Sequence, residues 1–189
     1  QTTNAVGAGI TQPLLNECKK LGVRLVNRAM FDSLIFDDKG KVVGAKIREG
    51  YYFGRGKEGS PINVRSQRGV LVATGGFARN VGLRSAQDPT LTAEVGSTNP
   101  PNATGEGLLE LFHVGAVPVH MAHIQTGPWA SADEDGFGYV SNYSIYNFAH
   151  SISVYPKTGR RFMNEIADRK TRSDAQLQCR DDAGNPLPP

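Results

Sequence analysis

The sequence has 189 residues, 39% hydrophobic and 21% charged, with a formal net charge of +3 at pH 7. That length fits one domain or pieces of two, and the composition is that of a folded protein with a buried core, not of a disordered chain. No apolar run approaches the roughly 20 residues of a membrane helix, no charged-then-apolar start marks a signal peptide, and the basic residues are too scattered to point to nucleic acid.

From Pro13, the apolar residues Leu14, Leu15, Cys18 and Leu21 recur at helical spacing. Lys19 and Lys20 fall in the last turn and Gly22 follows, which predicts a helix over 13–21. Residues 23–26 read as a short strand and 30–36 as a second. Asp37-Asp38-Lys39-Gly40 is a turn whose glycine can take positive φ, and 41–48 alternates apolar and polar to complete a hairpin. A glycine-rich excursion over 51–60 reads as a hairpin tip or mobile loop, with a further strand over 62–66.

Residues 69–76, Gly-Val-Leu-Val-Ala-Thr-Gly-Gly, predict a buried strand that stops at a tight turn. A polar stretch containing Pro89, Pro100 and Pro101 follows. A helix is predicted from 104 or 105 to about 113, closed by Gly115, with Leu108, Leu111 and Phe112 on one face and Glu106 in the first turn, where the helix dipole favours acid. The Gly-, Ser-, Tyr- and Asp-rich residues 129–148 read as loop with short strands. Strands over 152–155 and 160–163 flank a turn at 156–159, and a last helix spans about 168–179.

Several motifs invite a chemical reading. Gly7-Ala-Gly9 fails as a dinucleotide fingerprint, because Gln12 stands where the third glycine belongs and no strand precedes it. Ala73-Thr74-Gly75-Gly76 is either a tight exit turn or a place where backbone comes close to a flavin or nucleotide. The charged stretch 160–172 is either a solvated helix start with local ion pairs or the site of a buried arginine facing an anionic substrate. His120 and His123 are three residues apart with no carboxylate at metal spacing, so no metal site is expected; His150, in a Tyr-rich loop, stays a pocket candidate. Cys18 and Cys179 lie far apart, which excludes CxxC-type motifs and makes a disulfide unexpected. Gln1 at the start and the Pro-rich 185–189 read as cut ends, so a fragment of a longer chain is expected.

In order along the chain come a helix, a three-stranded meander with Asp-Asp-Lys-Gly, and Gly-Val-Leu-Val-Ala-Thr-Gly-Gly-Phe-Ala-Arg-Asn at 69–80. Thr-Gly-Glu-Gly-Leu at 104–108, Ile-Gln at 124–125 and Gly-Arg-Arg-Phe-Met-Asn-Glu-Ile-Ala-Asp-Arg at 159–169 follow. This ordered set resembles the flavoprotein family of fumarate reductases and succinate dehydrogenases, especially the soluble flavocytochrome-type fumarate reductases, over nearly the whole chain. The resemblance implies an α/β fold (α+β overall). Residues 1–124 would be the central part of a Rossmann-like FAD-binding domain with a β-meander, lacking the family's opening fingerprint. Residues 125–189 would be part of an α+β capping domain.

It further implies that backbone near Phe31 lies beside the adenine of FAD. Ala73, Thr74 and Gly75 would approach the flavin nucleotide, and Glu106 replaces the family's usual aspartate. Arg169 would protonate the substrate carbon after hydride delivery, held in a dry cleft opposite the flavin. Gly127 stands where the family has a substrate-binding histidine, and 144–151 holds neither the acid nor the second arginine of the family's proton relay. These departures point away from fumarate. Trp129, Tyr143, Tyr146 and Phe148 suggest either a pocket for a larger enoate acceptor or cap-domain core, with Tyr146 or His150 as relay or carbonyl anchor.

The expected parent is thus a flavin-dependent reductase of an activated C=C bond, from the bacterial cytoplasm or periplasm, with a small unsaturated substrate and an unassigned electron donor. A ketone or steroid dehydrogenase of related fold is the alternative. A third expectation is that the 189 residues alone retain no FAD and have no activity.

Overall fold

The structure, a computed structural model, describes residues 7–128, 150–185 and 187. The chain divides into two compact units, Gln1–Val70 and Leu71–Pro189.

The first unit contains α1 (Ala8–Lys20) and the strands β1 (Ala29–Phe36), β2 (Val42–Glu49) and β3 (Ser60–Arg65), which form an antiparallel sheet in the order β1-β2-β3. α1 starts five residues earlier than the sequence suggests and holds Pro13 in its interior, where the ring supplies no N–H to the carbonyl four residues before. Its C-terminus is closed by Gly22 at φ +73, with the Val23 N–H on the Cys18 carbonyl at 2.9 Å. No residue of α1 is buried; Ile10, Leu14 and Leu21 are 69%, 61% and 74% exposed.

The β1–β2 connection forms as expected. The Asp37 carboxylate accepts from the N–H groups of Lys39 and Lys41, both at 2.9 Å, and Gly40 takes φ +76. The ladder skips between Phe31 and Ser33, so Asp32 bulges out with its carboxylate 3.8 Å from Arg48 Nε. β3 lies close against β2 at Gly44, where a Cβ would stand 2.2 Å from the Val64 carbonyl oxygen. The strand expected over 23–26 is absent. Those residues enter no ladder, and Val23, Leu25 and Val26 are exposed; extended backbone becomes a strand only when a neighbour pairs its N–H and C=O groups.

The second unit contains α2 (Val81–Gln87), α3 (Glu106–His113), a two-stranded hairpin of β4 (Val154–Tyr155) and β5 (Arg160–Arg161), and α4 (Arg169–Leu177). α2, unanticipated, starts at Asn80, whose side chain accepts from the Leu83 N–H at 2.9 Å. α4 starts at Asp168, whose carboxylate accepts from the Thr171 N–H at 3.1 Å and hydroxyl at 2.6 Å.

The buried strand expected over 69–76 is a second correction. Residues 69–77 enter no ladder among the described residues, 73–76 are exposed, and Leu71 is 90% exposed. A central strand needs neighbours on its edges, and no described residue provides one. Cys18 and Cys179 are both free thiols; burial pushes the Cys179 thiol pKa up. No helix among the described residues is long and apolar enough to cross a membrane, and none of their His, Cys, Asp and Glu side chains gather in threes as a metal would require.

Candidate functional site

In the second unit the 72–80 segment is clamped to the start of α3, and two glycines make this possible. Gly105 sits at φ +80 as the residue before α3, and a Cβ on it would meet Phe77 Cβ at 2.7 Å. A Cβ on Gly107 would meet Thr74 Oγ1 at 2.2 Å and Val72 Cγ1 at 3.0 Å. Thr-Gly-Glu-Gly therefore places its two glycines where side chains cannot fit, and Glu106 between them points out, accepting a hydrogen bond from the Thr104 hydroxyl. Asn80 Nδ2 donates to the Thr104 carbonyl at 3.0 Å and the Arg79 N–H to the Ala103 carbonyl at 2.9 Å. Ala73, Thr74, Gly75 and Glu106, singled out separately in the sequence, thus belong to one locus.

A buried guanidinium supports that locus. Arg84, on α2, donates from Nη1 to the Ala78 carbonyl at 2.9 Å, from Nε to Leu91 at 3.0 Å, and from Nη2 to Thr92 and Val95, both at 2.5 Å. Burial, with a smaller contribution from nearby Arg79, lowers its pKa from the ordinary value. Sequence reasoning missed this residue, since nothing in the polar stretch 81–97 marks one arginine as buried. Glu94 of the same loop reaches Arg180 Nη1 at 3.2 Å, which ties residues 91–95 to the segment after α4.

The charged stretch 160–172 divides in a way that neither expectation anticipates. Glu165 is buried and receives Arg161 in a fork, Nε at 3.1 and 3.3 Å and Nη2 at 2.5 Å, plus the Ser153 N–H at 2.7 Å. The Arg161 hydrogen bonds outweigh the cost of burial and hold its carboxyl pKa at about 2. The buried arginine of the stretch is Arg172; Arg169 is exposed. Arg169 stands at the first position of α4, and its Nη1 donates to Gln125 Oε1 at 3.1 Å across 44 residues of sequence. The described residues thus do not seal Arg169 from water as the dry cleft would require. Gln125 was visible as half of the Ile-Gln motif without a role, and the contact gives it one.

Phe31 belongs to the first unit, on β1 opposite Ile47 and beside the Asp32 bulge. His150 is exposed. Tyr146, with Trp129, Tyr143 and Phe148, lies outside the described residues.

The FAD binding domain family matches residues 1–186. The chain belongs to that family. Among curated relatives it is 68% identical, over its whole length, to an acrylate reductase flavoprotein subunit of Shewanella woodyi, of which it spans 37%. It is 32% identical over 91% of its length to a cytochrome-type fumarate reductase of Shewanella frigidimarina, spanning 28% of that protein. The open conformation of a flavocytochrome c3 fumarate reductase shares its fold with a TM-score of 0.72 at 24% identity, covering 94% of this chain and 29% of the other. The chain spans about a third of the length of these relatives.

Exposed backbone at 73–76 is compatible with the approach of an FAD, the ligand of this family. Residues 71–76 enter no ladder and make no backbone–backbone hydrogen bond among the described residues. Gly75, at φ +87, and Gly76 have no atom within 4 Å of where a Cβ would stand, which leaves room for a flat ring system or a phosphate to reach the main chain.

Proposed function

We propose that the protein containing this chain is an FAD-dependent reductase of an activated C=C bond, with an enoate other than fumarate as acceptor. Residues 1–124 serve its FAD-binding domain and 125–189 its capping domain. Backbone near Phe31 lies along the adenine, Ala73, Thr74 and Gly75 approach the flavin nucleotide, and Glu106 belongs to the same locus. Bound FAD supplies the hydride that adds to one alkene carbon. The name of the 68% identical relative supports an acrylate-like acceptor, and Gly127, in place of a family histidine, argues against fumarate.

The chain's own chemistry centres on Arg169. Its place at the start of α4 is fixed by the Asp168 cap, and Gln125 accepts one of its N–H groups, which sets the plane of the guanidinium. A planar, permanently charged fork pairs with a carboxylate and offsets the negative charge that builds on the enoate as hydride adds. An N–H of the same group donates the proton to the second alkene carbon. Because a guanidinium gives up a proton only reluctantly, that proton must be replaced at once through a relay, for which Tyr146 and His150 are the proposed groups.

The observation that carries this reading is the Arg169–Gln125 hydrogen bond, which joins the two motifs flanking the proposed substrate site. Its test is turnover of the full-length protein carrying Arg169→Ala: alkene reduction is lost while the flavin absorbance spectrum stays unchanged. Unaltered turnover removes the role given to Arg169. The 189 residues alone are expected to retain little FAD and to be inactive, since they contribute only part of the FAD site; tight stoichiometric FAD in them contradicts that.

A further inference from the structure

A reductase of this kind has to receive electrons, and among the described residues an unassigned charged surface lies at the tip between β2 and β3. Arg28 Cζ stands 4.5 Å from the centroid of the Tyr52 ring, Arg55 Cζ 5.8 Å and Lys57 Nζ 5.7 Å. All three cations are exposed, and among the described residues none pairs with a carboxylate. Backbone hydrogen bonds hold the cluster together. The Tyr51 N–H bonds to the Arg28 carbonyl at 2.9 Å while Arg28 itself takes φ +57, and Tyr52 and Lys57 form a bridge. Gly54, Gly56 and Gly59 all have φ between +65 and +69, and a Cβ on Gly59 would lie 2.7 Å from the Glu49 carbonyl oxygen.

Those three glycines have the G-x-G-x-x-G spacing, Gly54-Arg-Gly-Lys-Glu-Gly59, yet β3 follows them instead of a helix. No helix N-terminus is present to hold a pyrophosphate, so the glycines shape a tip and do not cradle a dinucleotide. Charge is also divided unevenly. Residues 1–70 carry twelve Lys and Arg against six Asp and Glu, and residues 71–189 carry nine against twelve. An excess of six positive charges on one unit gives a field that steers negatively charged partners, and a tyrosine ringed by arginines has the composition of an interface anchor.

We propose that Arg28, Tyr52, Arg55 and Lys57 form a docking surface for an acidic electron-carrier protein. The name of the 68% identical relative, a flavoprotein subunit, points the same way, since a subunit works with another polypeptide. Stacking on Tyr52 pre-orders the arginine heads, so pairing with the partner's carboxylates costs little further side-chain freedom. The proposal rests on the reductase reading for its electron flow, but its surface can be tested separately.

The test uses the full-length protein with its flavin, and reduced flavodoxin, an acidic redox protein, as probe; reduced methyl viologen serves as a small donor that needs no docking surface. With Arg55→Glu and Lys57→Glu together, flavodoxin binding at low salt weakens about tenfold or more, and added salt weakens the native protein's binding more steeply than the variant's. The methyl viologen-driven rate stays the same, which shows the variant is folded. Arg55→Gln with Lys57→Gln gives an intermediate loss. The proposal is overturned if flavodoxin fails to bind the native protein or binds native and variant alike. It is equally overturned if duplex DNA or phosphatidylserine vesicles bind the tip more tightly than flavodoxin. Failure of methyl viologen to drive enoate reduction in the native protein sinks the reductase reading instead, and leaves the binding result standing.

Discussion

Replacing Glu165 by Gln removes a buried negative charge while keeping the side chain's shape. In the native protein the carboxylate takes two edges of Arg161 and the Ser153 N–H, and its side chain is only 5% exposed. Its pKa, about 2 against an ordinary 4.5, corresponds to at most about 3 kcal/mol of stabilisation. The Arg161 side chain is 55% exposed, and water screens its half of the pair, so about 1–3 kcal/mol is the working range. Because the folded pKa lies below the unfolded one, this stabilisation is complete above about pH 4.5 and is lost as pH falls toward 2.

The assay is native-state hydrogen exchange on peptides covering 150–166, where the Ser153 N–H donates to Glu165 and the Phe162 N–H to the Ser153 carbonyl. Glu165→Gln should speed exchange there about 5- to 150-fold at pH 7, a ratio that shrinks toward one between pH 4.5 and 2. A ratio that does not change with pH, or no acceleration at pH 7, refutes the assignment of Glu165 as a charged clamp.

Other substitutions probe the remaining parts of the second unit. Arg84→Met leaves the Ala78, Thr92 and Val95 carbonyls without a donor, Leu91 keeping that of the Ser85 hydroxyl, and should destabilise the full-length protein by about 3 kcal/mol, read by thermal denaturation; Arg84→Lys should recover only part, since an ammonium cannot reach all of them. Gly107→Ala places a methyl against Thr74 and should cost about 1–3 kcal/mol and lower FAD occupancy, both relieved in part by adding Thr74→Ala in a double-mutant cycle.

The elements legible in the sequence are those that local chemistry closes by itself. The Asp37–Gly40 turn needs only a carboxylate beside two N–H groups and a glycine at positive φ, and it forms as read. α3 and α4 carry their own start signals, Gly105 and Asp168, and fall within two residues of expectation. Residues 23–26 and 69–76 look like strands because Val and Thr favour that backbone, but a strand is defined by its partner, which composition does not contain. α2 was hidden because its seven residues contain Gly82, and its stability comes from Arg84 reaching carbonyls up to eleven residues away. At the site, the motifs named Arg169 and Thr74 individually. Only the fold shows that Gln125 holds the one and Gly107 abuts the other. Glu165 reads as one more surface charge until Ser153 and Arg161 close over it.

The most direct test of the redox account is single-turnover reoxidation of the photoreduced flavin in the full-length protein. Mixed anaerobically with acrylate, the reduced flavin should return to its oxidised spectrum as one equivalent of propionate forms, and the Arg169→Ala protein should show this return slowed by orders of magnitude. If acrylate and larger enoates leave the flavin reduced while a 3-oxosteroid reduces the oxidised protein, electrons flow the other way and the chain belongs to a dehydrogenase.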